Sequence, residues 1–190
     1  MPKVDNQKTE RMSDEQLRRY LAALDEEPNQ DAAAILRVAL LTGIRKTALL
    51  SLQWSDIDFD RGYITLRGEH AKKGKTEYLP LTPAVRSVLE KVKRTESPYV
   101  FPGRRSDCRR MARRVRDMAG LEDFRPMHGL RHSFASALAS SGRVDLYTLQ
   151  KLLTHESPQM TQRYAHFADE AMKRAAGVAD ELLAKDKEEE

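Results

Sequence analysis

The sequence predicts a mainly α-helical fold with a small antiparallel β-sheet. Over most of the 190 residues, apolar side chains recur at the three- and four-residue spacing of amphipathic helices, as in Leu17–Leu24. The exception is a pair of β-type runs, Tyr63–Leu66 and Glu77–Leu79, whose connection contains Gly68 and Gly74. Two such runs joined by a glycine-containing segment are typical of a β-hairpin. The expected class is therefore α+β, dominated by helices.

Helix-starting and helix-ending signals divide the first half of the chain. Ser13–Gln16 has the pattern of a capping box and predicts that a helix opens there. A second helix is predicted over Asp31–Leu41, ending near Gly43, and a short third helix over Thr47–Leu52. A turn at Trp54–Asp56 then leads into the predicted hairpin.

The second half is predicted to be almost entirely helical. Thr82 followed by Pro83 is a favourable helix start, because threonine caps the helix and proline suits its first position. Ser106 and Asp145 are the predicted caps of two later helices. The later helices are predicted at Ser106–Gly120, Leu130–Gly142, Asp145–Leu153 and Phe167–Lys185.

Length and composition are those of one globular domain. Hydrophobic residues make up 40% of the chain and charged residues 33%, which is a folded rather than a disordered composition. There is no internal repeat and no linker rich in proline or serine. We therefore predict a single domain over residues 13–190, including the helix at 167–185, with residues 1–12 as a tail or linker remnant.

Cysteine usage and the apolar pattern predict where the protein works. Cys108 is the single cysteine, so no disulfide can form within the chain and a reducing compartment is expected. No apolar run approaches the roughly 18 residues of a membrane helix. Residues 1–10 lack the apolar core of a signal peptide. We expect a cytoplasmic protein without membrane contact.

Positive charge is concentrated in one segment, although the net charge is only +4. A dense arginine cluster indicates a phosphate-rich partner. A solvated helix face explains the cluster equally well from charge alone. The seven clustered arginines are Arg104, Arg105, Arg109, Arg110, Arg113, Arg114 and Arg116.

The candidates for a chemical site lie in four segments: Thr42–Arg45, Lys72–Lys75, His128–His132, and His155 with Tyr164. Taken singly, each has a plain structural explanation, since a lone arginine is usually at the surface and hairpin lysines keep a sheet edge solvated. The two histidines of the third segment lie one helical turn apart and could suit zinc. However, Gly129 stands where the metalloprotease pattern has glutamate. A lone tyrosine is most often a packing residue.

Taken together, the four segments resemble the tyrosine recombinase, or phage integrase, family in order and spacing. A chance match of all four is far less expected than a match of one motif. The resemblance covers nearly the whole chain and implies the catalytic-domain fold of that family. The matching stretches are Thr42–Arg45 through Leu52–Asp58, Lys72 through Leu81, His128–Ala135, and Leu153–His155 through Arg163–His166.

The resemblance implies a set of catalytic residues. They are Arg45, Lys72, His128, Arg131, His155 and Tyr164. Within the set, His128 and Arg131 resemble the H-x-x-R box of the family. Lys72 lies eight residues before Pro80, as the hairpin lysine of the family usually does, and Lys73 is the alternative.

The implied reaction is attack by the Tyr164 phenol on a DNA phosphodiester, which leaves a 3′-phosphotyrosyl linkage and a free 5′-hydroxyl. Arg45 and Arg131 suit the charge that builds on the phosphate oxygens, because a guanidinium is permanently charged and binds two oxygens at once. A free tyrosine has a pKa of about 10 and needs activation. His128 is the expected base, and Lys72 the expected acid for the leaving oxygen.

The resemblance also implies partners and cofactors. Positively charged side chains supply what a metal supplies elsewhere, so no metal and no ATP are expected. The expected partner is double-stranded DNA, so the protein is expected to be nucleoid-associated. The expected assembly is a homotetramer on DNA held through the C-terminal helix, and a monomer without DNA. Docking of that helix on its own core is an equal alternative. The expected DNA-backbone contacts are Lys73, Lys75, Arg109, Arg110 and Arg113.

Three features depart from the family pattern. Ala48 stands where the family commonly has glutamate, and Thr154 where it commonly has glycine. Family members usually carry an N-terminal core-binding domain, and because the first catalytic helix is predicted near Ser13, we expect that domain to be absent from this sequence. The alternatives are a type IB topoisomerase-like enzyme, a catalytically silent DNA-binding relic and, least favoured, a zinc hydrolase.

Overall fold

The computed structural model describes residues 11–68 and 75–174, with only the backbone described at 104–107. The chain divides into two compact units. One is Glu10–Phe134, and the described part of the other is 135–174. The single domain expected over residues 13–190 stays a prediction, and each unit is described by itself.

The first unit is built mainly from helices, three of which begin at a side-chain cap; Ser13 and Thr82 were predicted as caps, whereas Asn29 was not. Ser13 forms a capping box with Gln16, Asn29 caps the second helix, and Thr82 with Pro83 opens the fourth. The helices are α1 (Asp14–Glu26), α2 (Gln30–Thr42), α3 (Lys46–Leu50), α4 (Pro83–Glu90), α5 (Arg104–Met118) and α6 (His128–Ser140), of which α6 ends in the second unit.

The arginine-rich helix starts earlier than predicted. Its first residue is Arg104, preceded by Gly103 as the N-cap, so the prediction that Ser106 caps this helix is wrong. Gly103 has a φ of 67°, a left-handed conformation that glycine adopts without cost and that ends the preceding loop. The predicted end of this helix is confirmed, since Gly120 is also left-handed, with a φ of 63°.

The small sheet has three antiparallel strands in the order β1–β2–β3. They are β1 (Ile57–Asp58), β2 (Tyr63–Leu66) and β3 (Glu77–Pro80). The predicted hairpin is confirmed, and Ile64 pairs with Leu79 so that both face the core. β1 was not predicted, because two residues are too few to show an alternating pattern.

Helix α2 lies at the centre of the first unit. Its residues Ala32–Leu36 are buried on every side, and it contacts α1, α3, α4 and α5. A helix that is apolar all round must be enclosed by others. Each fully buried leucine or isoleucine contributes about 1.5–3 kcal/mol, so this helix is the rigid frame from which the following turn projects.

The second unit contains α7 (Leu146–Leu152), α8 (Pro158–Gln162) and a helical stretch at 165–174. Asp145 caps α7 as predicted, accepting a hydrogen bond from the Thr148 amide at 2.8 Å. The last helix begins two residues before the predicted Phe167, and the predicted part from 175 to 185 lies outside the described residues. Within the described ranges, no helix has both the length and the hydropathy of a membrane span.

Candidate active site

The turn after α2 holds the first candidate arginine. The Thr42 hydroxyl donates to the Val38 carbonyl at 2.6 Å and accepts from the Ile44 amide at 3.2 Å. Gly43 ends α2 with a φ of 63°. Arg45 then serves as the N-cap residue of α3, with its side chain half-buried. Arg45 therefore lies on a turn whose backbone is fixed by the Thr42 hydrogen bonds and by the left-handed conformation of Gly43.

The first turn of α6 brings the second candidate arginine to that turn. Arg131 is 8% exposed, and its guanidinium donates to the Gly43 carbonyl at 2.5 Å, across 88 positions of sequence. Gly129 packs closely on Phe124, because a Cβ at Gly129 would lie 2.5 Å from that ring. Gly129 therefore lets the first turn of α6, which also bears Arg131, pack directly on the Phe124 ring.

His128 lies on the same turn of α6 and faces a second histidine. Its Nε2 atom is 2.9 Å from Nε2 of His132, and the two rings meet edge to face with centroids 4.4 Å apart. His128 is exposed, whereas His132 is 4% exposed. Ser133 follows, and its hydroxyl accepts from the Met12 amide at 3.2 Å. The start of α6 is thus fixed by polar contacts as well as by packing.

His155, the candidate histidine of the fourth segment, follows the end of α7. The His155 amide donates to the Gln150 carbonyl at 3.0 Å, and the Thr154 amide to the Lys151 carbonyl at 2.9 Å. This pair of bonds is the Schellman motif, in which the residue after the cap is left-handed and is usually glycine. Here that residue is Thr154, with a φ of 48°. The departure noted in the sequence therefore falls on a backbone position that glycine fits better.

Helix α8 connects His155 to Tyr164. Nδ1 of His155 lies 2.7 Å from the hydroxyl of Thr161, and Thr161 is 2% exposed. The Tyr164 amide donates to the Thr161 carbonyl at 2.9 Å. Tyr164 is itself 2% exposed. Thr161 therefore contacts both members of the pair, one through its side chain and one through its backbone.

The predicted hairpin lysines are only partly covered by the structure. Lys72 and Lys73 lie outside the described residues. Lys75 is exposed just before β3. At the base of the hairpin, Arg67 Nε donates to Asp56 Oδ1 at 2.6 Å, and Asp56 is 5% exposed. This ion pair ties the end of β2 to the turn before β1.

The arginines of α5 do not form one uniform group. Arg109, Arg110 and Arg113 are exposed and line a cavity of about 510 Å³. Arg114 is also exposed and lines the same cavity, but it binds both carboxylate oxygens of Glu27, which is 1% exposed. Burial raises the pKa of Glu27, but hydrogen bonds from Arg114 and a backbone amide outweigh burial and hold this pKa below its usual range. The cluster is therefore part structure and part open surface.

The arrangement in the first unit suits an anionic oxygen. It offers two guanidiniums, one of them held by a backbone carbonyl, together with an imidazole on the same helix turn. Among the described residues, no group of three or more His, Cys, Asp or Glu side chains could hold a metal ion. Guanidiniums and an imidazole are suited by their own chemistry to anion binding and proton transfer.

The sequence interpretation assigned no role to two residues that contact the candidate set, His132 and Thr161. The sequence does indicate a relation between His132 and His128, which lie one helical turn apart, but this spacing was interpreted only as a possible zinc-binding pair. No sequence pattern indicates the role of Thr161, because no local motif predicts that a threonine contacts a histidine six residues earlier.

The other departure from the family pattern is Ala48 in α3. Its side chain lies half-buried against the core.

Comparisons with known proteins come from sequence and from structure. The sequence pattern of the phage integrase family matches residues 10–171. The tyrosine recombinase XerC of Bifidobacterium longum (strain DJO10A) is 33% identical over 170 residues, covering 80% of this chain and 47% of that protein. The chain spans about half the length of the curated relatives that it matches.

Two solved structures show the corresponding fold. The catalytic domain of bacteriophage HP1 integrase matches with a TM-score of 0.69 and 25% identity, over 88% of this chain and 93% of that one. A lambda integrase (75–356) dimer bound to a COC′ core site matches with a TM-score of 0.63 and 26% identity, over 82% of this chain and 58% of that one. The described helices and sheet therefore correspond to nearly the whole of the HP1 domain.

Proposed function

The chain belongs to the phage integrase family, and from that membership we propose that it is the catalytic domain of a site-specific DNA recombinase. It cleaves and rejoins DNA strands through a 3′-phosphotyrosyl intermediate. One observation carries the proposal, the hydrogen bond from Arg131 to the Gly43 carbonyl. This bond holds the arginine of the H-x-x-R box on the turn that bears Arg45, which is the pairing that phosphate chemistry needs.

The two arginines stabilise the transition state. Negative charge grows on the non-bridging oxygens as the phosphorus becomes five-coordinate, and fixed guanidiniums meet that charge without having to reorganise. Arg131 is buried and already bonded to backbone, so little conformational entropy is lost when the phosphate arrives. Removing one preorganised donor of this kind typically costs about 2.7–4 kcal/mol.

Tyr164 supplies the nucleophile. Its phenolic proton passes to His128 as the bond from oxygen to phosphorus forms and the bond from phosphorus to the 5′-oxygen breaks. The leaving oxygen takes a proton from Lys72, and the reverse steps rejoin a strand. Tyr164 is 2% exposed, so the reaction includes a movement that exposes the phenolic oxygen. His155 donates to a phosphate oxygen, oriented by its contact with Thr161.

Double-stranded DNA is the proposed substrate, and the exposed arginines of α5 contact its backbone. The lambda integrase relative is bound to a COC′ core site, and Arg109, Arg110 and Arg113 form an exposed cationic face here. Replacing Arg113 by alanine should lower the dependence of binding on salt by about one unit in the log–log slope. Arg114 is the matched comparison, because its ion pair with Glu27 serves the fold instead.

The C-terminal segment is proposed to join subunits in a tetramer on DNA. Two adjacent residues of its described part support this proposal, since Ala171 is buried and Met172 is 70% exposed. An exposed methionine beside a buried alanine suits a helix that packs on its own subunit and also offers an apolar contact to another. Chemical cross-linking with and without target DNA tests this assembly, and a chain that stays monomeric on its target DNA contradicts it.

The proposed activity is tested by trapping the covalent intermediate. A library of nicked duplexes with a randomised core is incubated with the chain, alone and fused to the N-terminal half of the Bifidobacterium longum relative. Because cleavage beside a nick releases a short strand, rejoining is prevented and the adduct accumulates. Denaturing gels and sequencing of the attached DNA then report both the reaction and the target site.

The expected result is an adduct with the wild type, none with Tyr164→Phe, and an unchanged yield with Tyr147→Phe, since Tyr147 is 68% exposed on α7 and has no assigned role. An adduct that survives Tyr164→Phe contradicts the assigned nucleophile. No adduct from the chain or the fusion supports the silent DNA-binding alternative. An adduct with plasmid relaxation, but no exchange between two labelled duplexes, supports the type IB topoisomerase-like alternative.

A further inference from the structure

His132 is a buried titratable side chain to which the proposed reaction assigns no role. It lies one turn after His128 on α6 and is 4% exposed. Its Nε2 atom is 2.9 Å from Nε2 of His128. Such a side chain next to the proposed base is placed to act on that base.

A contact of this length between two Nε2 atoms allows only one hydrogen between them. One nitrogen must donate and the other must accept, because a neutral imidazole has one N–H and one lone pair. Two arrangements satisfy this condition. In one, His132 donates and the lone pair of His128 at Nε2 is consumed by the contact. In the other, His128 donates and its lone pair resides on Nδ1.

We propose that His132 accepts, and that it is the positioning residue that holds His128 in its Nε2–H form. This inference rests on the proposed function, in which His128 takes the proton of Tyr164. Only the accepting arrangement lets His128 gain that proton at Nδ1 while keeping its bond to His132. In the donating arrangement, protonation of His128 at Nε2 would break the contact.

The same contact stabilises the protonated base. When His128 carries a positive charge, its Nε2–H donates a charge-assisted hydrogen bond to His132, which is stronger than a neutral one. The charge goes to His128 because this ring is exposed, whereas a charge on the buried ring of His132 would lose its hydration. His132 itself neither gains nor loses a proton, so the proton passes only between Tyr164 and His128.

The inference is tested first by nitrogen NMR of the histidine rings in the wild-type chain without DNA. Ring ¹⁵N shifts distinguish the two tautomers, and the His128 signals are assigned from a His128→Asn sample. The expected result is the Nε2–H tautomer at His128. The Nδ1–H tautomer overturns the inference, whatever the activity of the chain.

The second test compares two substitutions in the adduct assay under single-turnover conditions. His132→Phe keeps a ring but removes the acceptor, and adduct formation should slow roughly tenfold to a hundredfold, since a general base as a whole contributes about 10²–10⁴-fold. His132→Gln keeps an acceptor oxygen at a similar reach and should retain most of the rate. Equal rates in both variants and the wild type overturn the inference while leaving the proposed function intact. If the wild-type chain forms no adduct, the result counts against the proposed function and not against the tautomer assigned to His128.

Discussion

Two helix ends in this protein place a functional side chain by the same backbone device but with different residues. Helix α2 ends at Gly43, with a φ of 63°, and Arg45 follows two residues later. Helix α7 is followed by Thr154, with a φ of 48°, and His155 comes next. In both cases a left-handed residue turns the chain sharply away from the helix axis. The side chain that follows therefore leaves from a fixed direction.

The two ends differ in how the left-handed residue is supported. Glycine adopts positive φ freely, whereas other residues lose about 1–2 kcal/mol there. The Gly43 end is also held from a distance, through its carbonyl bond to Arg131. The Thr154 end relies on two local backbone bonds, to Gln150 and Lys151. A left-handed helix end can thus be formed either by glycine, without strain, or by another residue that local hydrogen bonds hold at positive φ. In the second case the backbone is strained.

Removing the distant support of the α2 end should have the largest effect. Arg131→Ala removes the hydrogen bond to the Gly43 carbonyl and one of the two cations that bind the phosphate. The rate of single-turnover adduct formation should therefore fall by about 10²–10³-fold. Arg131→Lys is the control, because it keeps the charge but loses the planar fork and should recover only part of the rate. A rate within threefold of the wild type for Arg131→Ala would falsify the role given to this contact.

Changing the left-handed residue of the α2 end should come next. Gly43→Ala places a Cβ at positive φ and should cost about 1–2 kcal/mol, seen as a drop in Tm. Gly62→Ala is the matched control, since Gly62 has a φ of 74° in open space. Both variants should lose stability, but only Gly43→Ala should also slow adduct formation. Equal adduct rates in the two variants would mean that the Gly43 carbonyl does not position Arg131.

A smaller effect is expected from the side chain that reinforces the α2 end. Thr42→Val keeps the shape of the residue but removes a hydroxyl that bonds to the Val38 carbonyl and the Ile44 amide. The loss should be about 1 kcal/mol, measured by urea unfolding. Thr42→Ser keeps the hydroxyl and should fall between Thr42→Val and the wild type. Unchanged stability of Thr42→Val would show that water replaces the hydroxyl at this turn.

The smallest effect, and the only gain, is expected at the α7 end. Thr154→Gly relieves about 1–2 kcal/mol of backbone strain in the folded state. Glycine also raises the conformational entropy of the unfolded chain, which lowers stability by about 0.4–1 kcal/mol. The net stabilisation should lie between about 0 and 1.6 kcal/mol, with adduct formation retained. Thr154→Ala keeps a Cβ and should gain less. A lower Tm for Thr154→Gly would mean that the threonine side chain makes contacts worth more than the strain.

Much of the fold and of the candidate set was predictable because the signals are local. The caps Ser13, Thr82 and Asp145 lie within three residues of the amides that they bind, so the sequence shows both partners together. The order and spacing of the motifs also identified the family. The misplaced start of α5 and the missed β1 have the same origin, because a glycine cap and a two-residue strand leave little local pattern.

Only the tertiary structure could decide which of several similar side chains has which partner. Arg113 and Arg114 are adjacent, alike in sequence and both exposed, yet Arg114 binds the buried Glu27, because α5 packs against α1 and α2, between which Glu27 lies. The sequence determined by itself most helices and the hairpin, since these follow from neighbours a few positions apart, and the order and spacing of four distant motifs indicated the set of reactive residue types. The bond from the Arg131 guanidinium to the Gly43 carbonyl joins positions 88 apart, and such a pairing exists only once the packed helices have brought this side chain to that carbonyl.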